Sequence, residues 1–204
     1  MKRISSIGTT FTFLYLLLLS LLTDSSFAKK EEAQTLAINA VKKTVPVCQE
    51  CVFFAVPVQS HLFRLNNLFF VATLDLIPPP FWTVGISKKE KIYILDSRDV
   101  SAWNEMIKEE KIFLKSNEDL EKFAKTFLEL AVGRALYIDK LMAGEINRIQ
   151  KKTKTNPNSS MEIVKDKNTF SISFYGKDLG GMLQKWDLKV DPSGTILKSQ
   201  VTEF

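Results

Sequence analysis

An α+β fold, with a curved antiparallel sheet covered by a long helix, is what three features of this 204-residue chain predict. Residues 169–204 alternate apolar and polar side chains in runs joined by turn residues, the pattern of an antiparallel meander with one face in the core. Residues 120–149 carry an apolar stripe at helical spacing. Val- and Phe-rich runs upstream supply further strands. A charged fraction of 25% and a hydrophobic fraction of 45% exclude a disordered or fibrous chain.

The N-terminus is an address. Lys2 and Arg3 precede an uncharged run from Ile4 to Thr23, and Ser26-Phe27-Ala28 places small residues where a signal peptidase reads. Residues 1–28 are therefore expected to be a signal peptide, cleaved after Ala28, with 29–204 a single α+β domain. The alternative is an uncleaved anchor, since a run of about 20 uncharged residues just spans a bilayer. Ser, Gly and Thr in its first half argue against that. Either way the domain lies outside the cytoplasmic membrane, periplasmic or secreted. Losing Lys2, Arg3 and Asp24 with the leader takes the net charge from +5 to about +4.

Glu31–Thr44 places Ala33, Leu36, Ala37, Ala40 and Val41 on one helical face, and Pro46 stops it. Val47–Val58 is strand-like. Asn66-Asn67 is turn material before a strand over Leu68–Ile77, which Pro78-Pro79-Pro80 ends because proline has no N–H for the ladder. Along it Phe69, Val71, Thr73, Asp75 and Ile77 face one way, and Phe70, Ala72, Leu74 and Leu76 the other. Phe81–Ser87 and Lys91–Leu95 form a hairpin about Lys88-Lys89-Glu90. Asp99 caps a helix running to Glu110. Ile112–Leu114 is a short strand. Ser116 and Asp119 make a capping box with aspartate in place of glutamate.

The stripe that follows would make a helix about 50 Å long at 1.5 Å per residue. Gly133 and Gly144 each cost about 1 kcal/mol in a helix interior, so a kink or break is expected near one of them. Residues 151–160 form an exposed loop or linker, rich in Lys, Thr, Asn and Ser. In the meander, Phe170, Ile172 and Phe174 share one face, as do Trp186, Leu188 and Val190. Asp191-Pro192-Ser193-Gly194 is a turn, because Pro presets one central residue and Gly tolerates positive φ. The return strand is Ile196–Phe204. One face of this meander is wet and the other needs a cover, which the long helix supplies.

Cys48-Gln49-Glu50-Cys51 is the one chemical motif. In an oxidising compartment, thiol–disulfide exchange by Cys48, with Cys51 resolving, needs a thiolate stabilised at a helix N-terminus. Here a strand-like segment with Pro57 follows, and Glu50 puts negative charge beside the sulfur. A structural Cys48–Cys51 disulfide across a tight turn is the adopted reading. Half a metal site is the remaining option, but there are no other cysteines and His61 is the only histidine. No metal and no cofactor are expected. A Ser-His-Asp triad has no G-x-S-x-G elbow to support it.

Asp75 within an apolar strand needs a partner. Arg64 is the candidate, with a cavity-lining or proton-transfer role, or simple exposure at an edge, as the alternatives. Phe81 and Trp82, with Trp103 and Trp186, either line an aromatic groove or fill the core. Asp75, Trp82 and Arg64 are the candidate ligand-binding set. Arg148, Lys151, Lys152 and Lys154 form a basic patch suited to an anionic lipid or polysaccharide surface. Export argues against nucleic acid.

By element order alone, the last ~90 residues, a helix and then strands ending in Trp186-x-Leu188-x-Val190-Asp191-x-x-Gly194, resemble cystatin-like and nuclear-transport-factor-like domains. That resemblance implies general shape only and transfers no site residue.

Without a catalytic set, the expected function is a non-enzymatic envelope domain that binds a partner protein or a small apolar ligand. The alternative is a thiol–disulfide oxidoreductase. Alkylation and intact mass across a redox buffer series separate the two. A structural Cys48–Cys51 bond is expected to have a potential below about −300 mV, whereas about −200 to −120 mV would mark an exchange enzyme.

Overall fold

The computed structural model describes residues 30–44, 50–73, 75–76, 80–132, 135–178 and 180–204. The expected leader, Cys48, Pro78-Pro79 and Gly133 lie outside these residues. The described chain is α+β. Helix α1 covers 30–44. Strands β1 (Phe53–Val58), β2 (Asn67–Thr73), β3 (Phe81–Ile86) and β4 (Ile92–Leu95) follow. Next come helices α2 (Ser101–Glu110) and α3 (Asn117–Ala131), strand β5 (Leu136–Ile138) and helix α4 (Ala143–Thr153). Strands β6 (Glu162–Asp166), β7 (Thr169–Lys177), β8 (Leu183–Val190) and β9 (Ile196–Glu203) complete it.

The strands make two open antiparallel sheets where one was expected. The first is a meander in the order β1-β2-β3-β4. The second runs β5-β7-β8-β9, and β6 shares the β5 edge of β7. Strand β6 pairs with the first half of β7 (Asp166 opposite Thr169, Glu162 opposite Ser173), and β5 with its last three residues. Short local turns explain the split, because each N-terminal strand finds its partner in the next. The β3–β4 turn is closed by Ser87 and Lys91, with Glu90 at φ 61°.

The expected break in the long helical stripe is complete: the stripe divides into two helices, one ending at Ala131 and the other starting at Ala143. Residues 120–131 form the buried stripe of α3, but the chain then crosses to sheet two as β5 before α4 begins. Met142, assigned to the stripe, is 65% exposed. Ile112–Leu114 forms no strand; Leu114 N–H instead donates to Pro192 O at 2.7 Å. Asn67 belongs to β2 and not to a turn, and β2 ends at Thr73, before Asp75. The loop after α4 starts at Lys154, because the helix continues through Thr153.

Helices α2 and α3 lie between the sheets and are buried on both. Leu68, Phe70, Tyr93 and Leu95 of the first sheet belong to the same apolar cluster as Phe170, Ile172, Phe174, Trp186, Leu188 and Val190 of the second. Trp103 of α2 is fully buried at the middle. Its indole meets Phe63, Phe123 and Phe127 edge-on at 5.0, 5.5 and 5.3 Å, and Phe127 meets Trp186 at 5.5 Å. Each edge-to-face pair adds about 0.5–1.5 kcal/mol beyond the area it buries. Helix α2 comes so close to β3 that a Cβ on Gly85 would stand 2.7 Å from Met106 Sδ.

Hydrogen bonds fix the register of this helical layer. Asn104 of α2 exchanges two bonds with the backbone of Ile196, at 2.9 and 2.8 Å. Tyr93 donates to Glu109 at 2.6 Å, and burial together with that carboxylate pushes its phenol up to about 12. Ser116 caps α3 as expected: its hydroxyl accepts from Asp119 N–H, and the Asp119 carboxylate accepts from Ser116 N–H. Asp99 accepts from Ser101 N–H at 3.0 Å but is not the N-cap of α2, which is Val100. The Asp191–Gly194 turn closes with Gly194 N–H on Asp191 O, at φ +80°.

The outer face of sheet one is covered by α1. Ala33, Ala37 and Val41 pack on Phe69, Val71, Val84 and Ile86. Strand β2 is therefore buried on both faces, which explains its unbroken apolar run. On sheet two, α4 covers only part of the outer face.

Phe127→Ala is expected to cost about 3–5 kcal/mol in denaturant unfolding, because it removes a ring that links α3 to both tryptophans. Phe113→Ala, at an exposed side chain, is expected to stay within about 0.5 kcal/mol.

Candidate functional site

The three residues expected to contact a ligand do not converge. Asp75 is exposed. Its Oδ2 accepts from Val52 N–H at 2.7 Å and from Thr73 Oγ1 at 3.0 Å. It thus clamps the chain entering β1 to the chain leaving β2, which is how the carboxylate is satisfied without Arg64. Arg64 is exposed and its Nε donates to His61 O at 3.3 Å. No ion pair joins it to Asp75 among the described residues. Trp82 is half-buried against Phe53, at 6.0 Å between ring centroids. It lines an open groove of about 480 Å³ with Thr44, Ile94, Asp96, Asp99 and Leu130, and Asp75 is not part of that lining. Trp103 and Trp186 fill the core.

Cys51 is 5% exposed and lies two residues before β1, with no helix starting at it. The expected bond to Cys48 would involve a residue outside the described set. Arg148, Lys151, Lys152 and Lys154 are exposed at the C-terminal half of α4 and just beyond it. Lys151 and Lys152 occupy its last turn, where positive charge complements the helix dipole. Lys152 also donates to Glu203 O and lies over the Phe204 ring. Among the described residues no group of three or more His, Cys, Asp or Glu is placed to hold a metal ion. No helix among them is long and apolar enough to cross a membrane.

A concavity lies on the outer face of sheet two, and strand register builds it. Glu162, Ser173 and Asp187 stand side by side across β6, β7 and β8, and Tyr175, Lys185 and Thr202 make the next row across β7, β8 and β9. All six point away from the helical layer, because they alternate with Ile172, Phe174, Trp186 and Leu188. Ser173 Oγ donates to Asp187 Oδ1 at 2.5 Å, and Lys185 Nζ pairs with the same oxygen at 2.9 Å.

Helix α4 and the loop after it raise the wall. Leu141 and Ile149 pack on Tyr175 and Leu183. Glu145 holds α4 down, since its carboxylate pairs with Lys177 of β7 and accepts from Met142 N–H at 2.8 Å. Burial pushes the Glu145 carboxyl up, but the Lys177 ammonium and the Met142 N–H bring it below the ordinary range. Lys154 leaves the helix at φ 61°, and Gln150 Nε2 donates to Asn156 Oδ1 at 2.9 Å. Leu141 N–H donates to Ser159 O at 2.7 Å. The segment read as a linker is thus tied down at both ends. It borders an open cavity of about 300 Å³ with Ile149, Glu162, Tyr175, Asp187 and Phe204 among its lining.

None of these cavity residues stood out as a site in the sequence. The available signal was Tyr175. It follows Thr169, Ser171 and Ser173 on the wet face, where a large aromatic needs a cover of its own. Burial, then the nearby Asp187 and Glu162 carboxylates, push its phenol up.

No protein-family model, no curated protein and no solved structure matches the chain. The cystatin-like shape is compatible with α3 lying across the antiparallel sheet two, and it carries no functional residue.

Glu145→Gln tests the seating of α4. The folded carboxyl lies below its ordinary 4.5, so its contribution is complete above about pH 4.5 and is lost as the pH falls. The variant is expected to be about 2 kcal/mol less stable at pH 7, with the gap to wild type closing toward pH 3 in urea titrations.

Proposed function

We propose that this chain is an exported, non-enzymatic domain that binds a partner protein, and that the partner docks on the free edge of β1. The observation that carries this reading is a row of apolar side chains at alternate positions along that edge. Val52, Phe54 and Val56 are 74%, 38% and 43% exposed. Phe54 and Val56 stand opposite Ala72 and Phe70 of β2, so the row extends the apolar inner face of sheet one beyond its helical cover. Among the described residues the ladder of β1 is paired only with β2, and Gln34 Nε2 of α1 donates to Ala55 O at 3.2 Å. An exposed edge with an apolar row suits an extended segment of another protein, which gains ladder bonds and side-chain contacts together.

A small apolar ligand is the weaker half of the original expectation. Such ligands favour enclosed apolar concavities. Here the large side chains between the sheets fill the core, and the cavities on the surface are open and rimmed with polar groups. Thiol–disulfide exchange would rest on Cys48, which lies outside the described residues; Cys51, in the resolving role, is buried.

Two experiments test the reading. Intact mass of the exported protein is expected to start at Lys29; a retained leader would contradict cleavage. A photo-crosslinker placed at position 54 in the producing cell is expected to give one discrete adduct with a different protein. The same group at Lys198 on β9 should give none, and Val56→Lys should abolish the adduct while leaving the unfolding midpoint unchanged. No adduct at 54, or an adduct of the chain with itself, would overturn the partner assignment.

A further inference from the structure

We infer that the loop joining α2 to α3, residues 111–116, docks on an anionic lipid surface with Phe113 at its centre. The patch shares no residue with the β1 edge, so the inference does not rest on docking there.

The loop is anchored in a way that forces Phe113 outward. Lys111 leaves α2 at φ 53°, in the left-handed region. Side chains then alternate. Ile112 packs against the central core, and Leu114 lies within it at 2% exposed. Leu114 N–H donates to Pro192 O at 2.7 Å, which ties the loop to the final hairpin. Phe113, between the two, is 60% exposed. One apolar side chain in water is ordinary. What sets this one apart is the charge around it.

Lys115 Nζ stands 5.3 Å from the centre of the Phe113 ring. The turn between β6 and β7 brings Lys165 and Lys167 to the same place, and all three lysines line one open hollow of about 270 Å³ with Phe113. Lys111 adds a fourth exposed cation two residues before the ring. None of the four belongs to an ion pair among the described residues. The carboxylates nearby are turned to other donors. Asp166, in the lining, accepts from Lys167 N–H at 2.9 Å. Asp119 accepts from Lys115 and Ser116 N–H, and Glu118 pairs with Lys122.

An aromatic tip surrounded by ammonium groups fits the boundary between lipid headgroups and acyl chains. The lysines meet phosphates there while the ring leaves water. Each lysine near an anionic surface is worth about fivefold in partitioning. An acidic peptide would satisfy the lysines, but a segment charged along its length offers Phe113 little to pack on. The basic residues of α4 have no exposed ring among them, since Phe204, under Lys152, is half-buried.

The test is flotation of the purified exported protein with vesicles of equal parts phosphatidylglycerol and phosphatidylcholine, and with phosphatidylcholine alone. Binding to the anionic vesicles only, weakening as salt is raised, is expected. Phe113→Ala should bind about tenfold more weakly, and Phe113→Trp should bind at least as well as wild type, because tryptophan favours the lipid interface. Lys165→Glu with Lys167→Glu should abolish binding, whereas Lys151→Glu with Lys154→Glu on the α4 side should leave it unchanged. Urea midpoints of the variants are compared so that loss of binding is read only from folded protein. No partition to anionic vesicles, equal partition to neutral ones, undiminished binding by Phe113→Ala, or loss only in the α4 variant would overturn the inference. Capture by soluble polyglutamate without vesicle binding would assign the patch to an acidic peptide and overturn the lipid.

Discussion

The indole of Trp103 meets three phenyl rings edge-on, and one of them passes the contact to Trp186 on the far sheet. The other layers are arranged around this chain of rings. Each antiparallel sheet has an apolar face that must be covered. Instead of packing on each other, the sheets share α2 and α3 between them. The shared layer must then be apolar on both sides, which is why α3 buries Leu120, Phe123, Ala124, Phe127, Leu128, Leu130 and Ala131. Asn104 and Glu109 supply the directional bonds that apolar packing lacks.

The outer faces follow from that arrangement. Helix α1 covers the first sheet but leaves apolar side chains in water at its edges, Phe54 and Val56 on β1 and Ile92 on β4. Helix α4 is 11 residues long and covers part of the second sheet. At its end the chain must turn back to β6, and the turn stands over Tyr175 to leave a cavity where a longer helix would have filled the space. Edge and cavity are thus by-products of how far two covering helices reach. The polar rows of β6–β9 give the second of them its chemistry.

Local rules were legible in the residues. Ser116 and Asp119 announced the start of α3, Asp191–Gly194 the final hairpin, and period-two alternation the inner faces of β7 and β8. The error came where a short element mimics a longer one. Ala135, Ile138, Met142, Ile146 and Ile149 continue the spacing of α3, yet Ile138 lies in a three-residue strand, Ile146 and Ile149 lie in a new helix, and Ala135 and Met142 fall outside both. Three residues show no period of their own. The unbroken run Phe69–Ala72 carried a signal that was not used, because a strand apolar on both faces implies covers on both sides. Asp75 looked like a buried charge because β2 was extended past Thr73; at the strand end it meets Val52 N–H in water. The cavity was illegible because it depends on which strand lies beside which, and only register brings Glu162, Ser173 and Asp187 together.

The claim that one helical layer holds both sheets is tested by equilibrium unfolding in urea, followed by two probes. Trp82 stands in sheet one, Trp103 in the layer and Trp186 in sheet two, so single-tryptophan variants report on each part, and far-UV circular dichroism reports on the whole. Coincident midpoints and slopes for all probes are predicted, because neither sheet retains its cover once α2 and α3 leave. A Trp82 transition separated from that of Trp186, with one sheet still folded, would contradict the account.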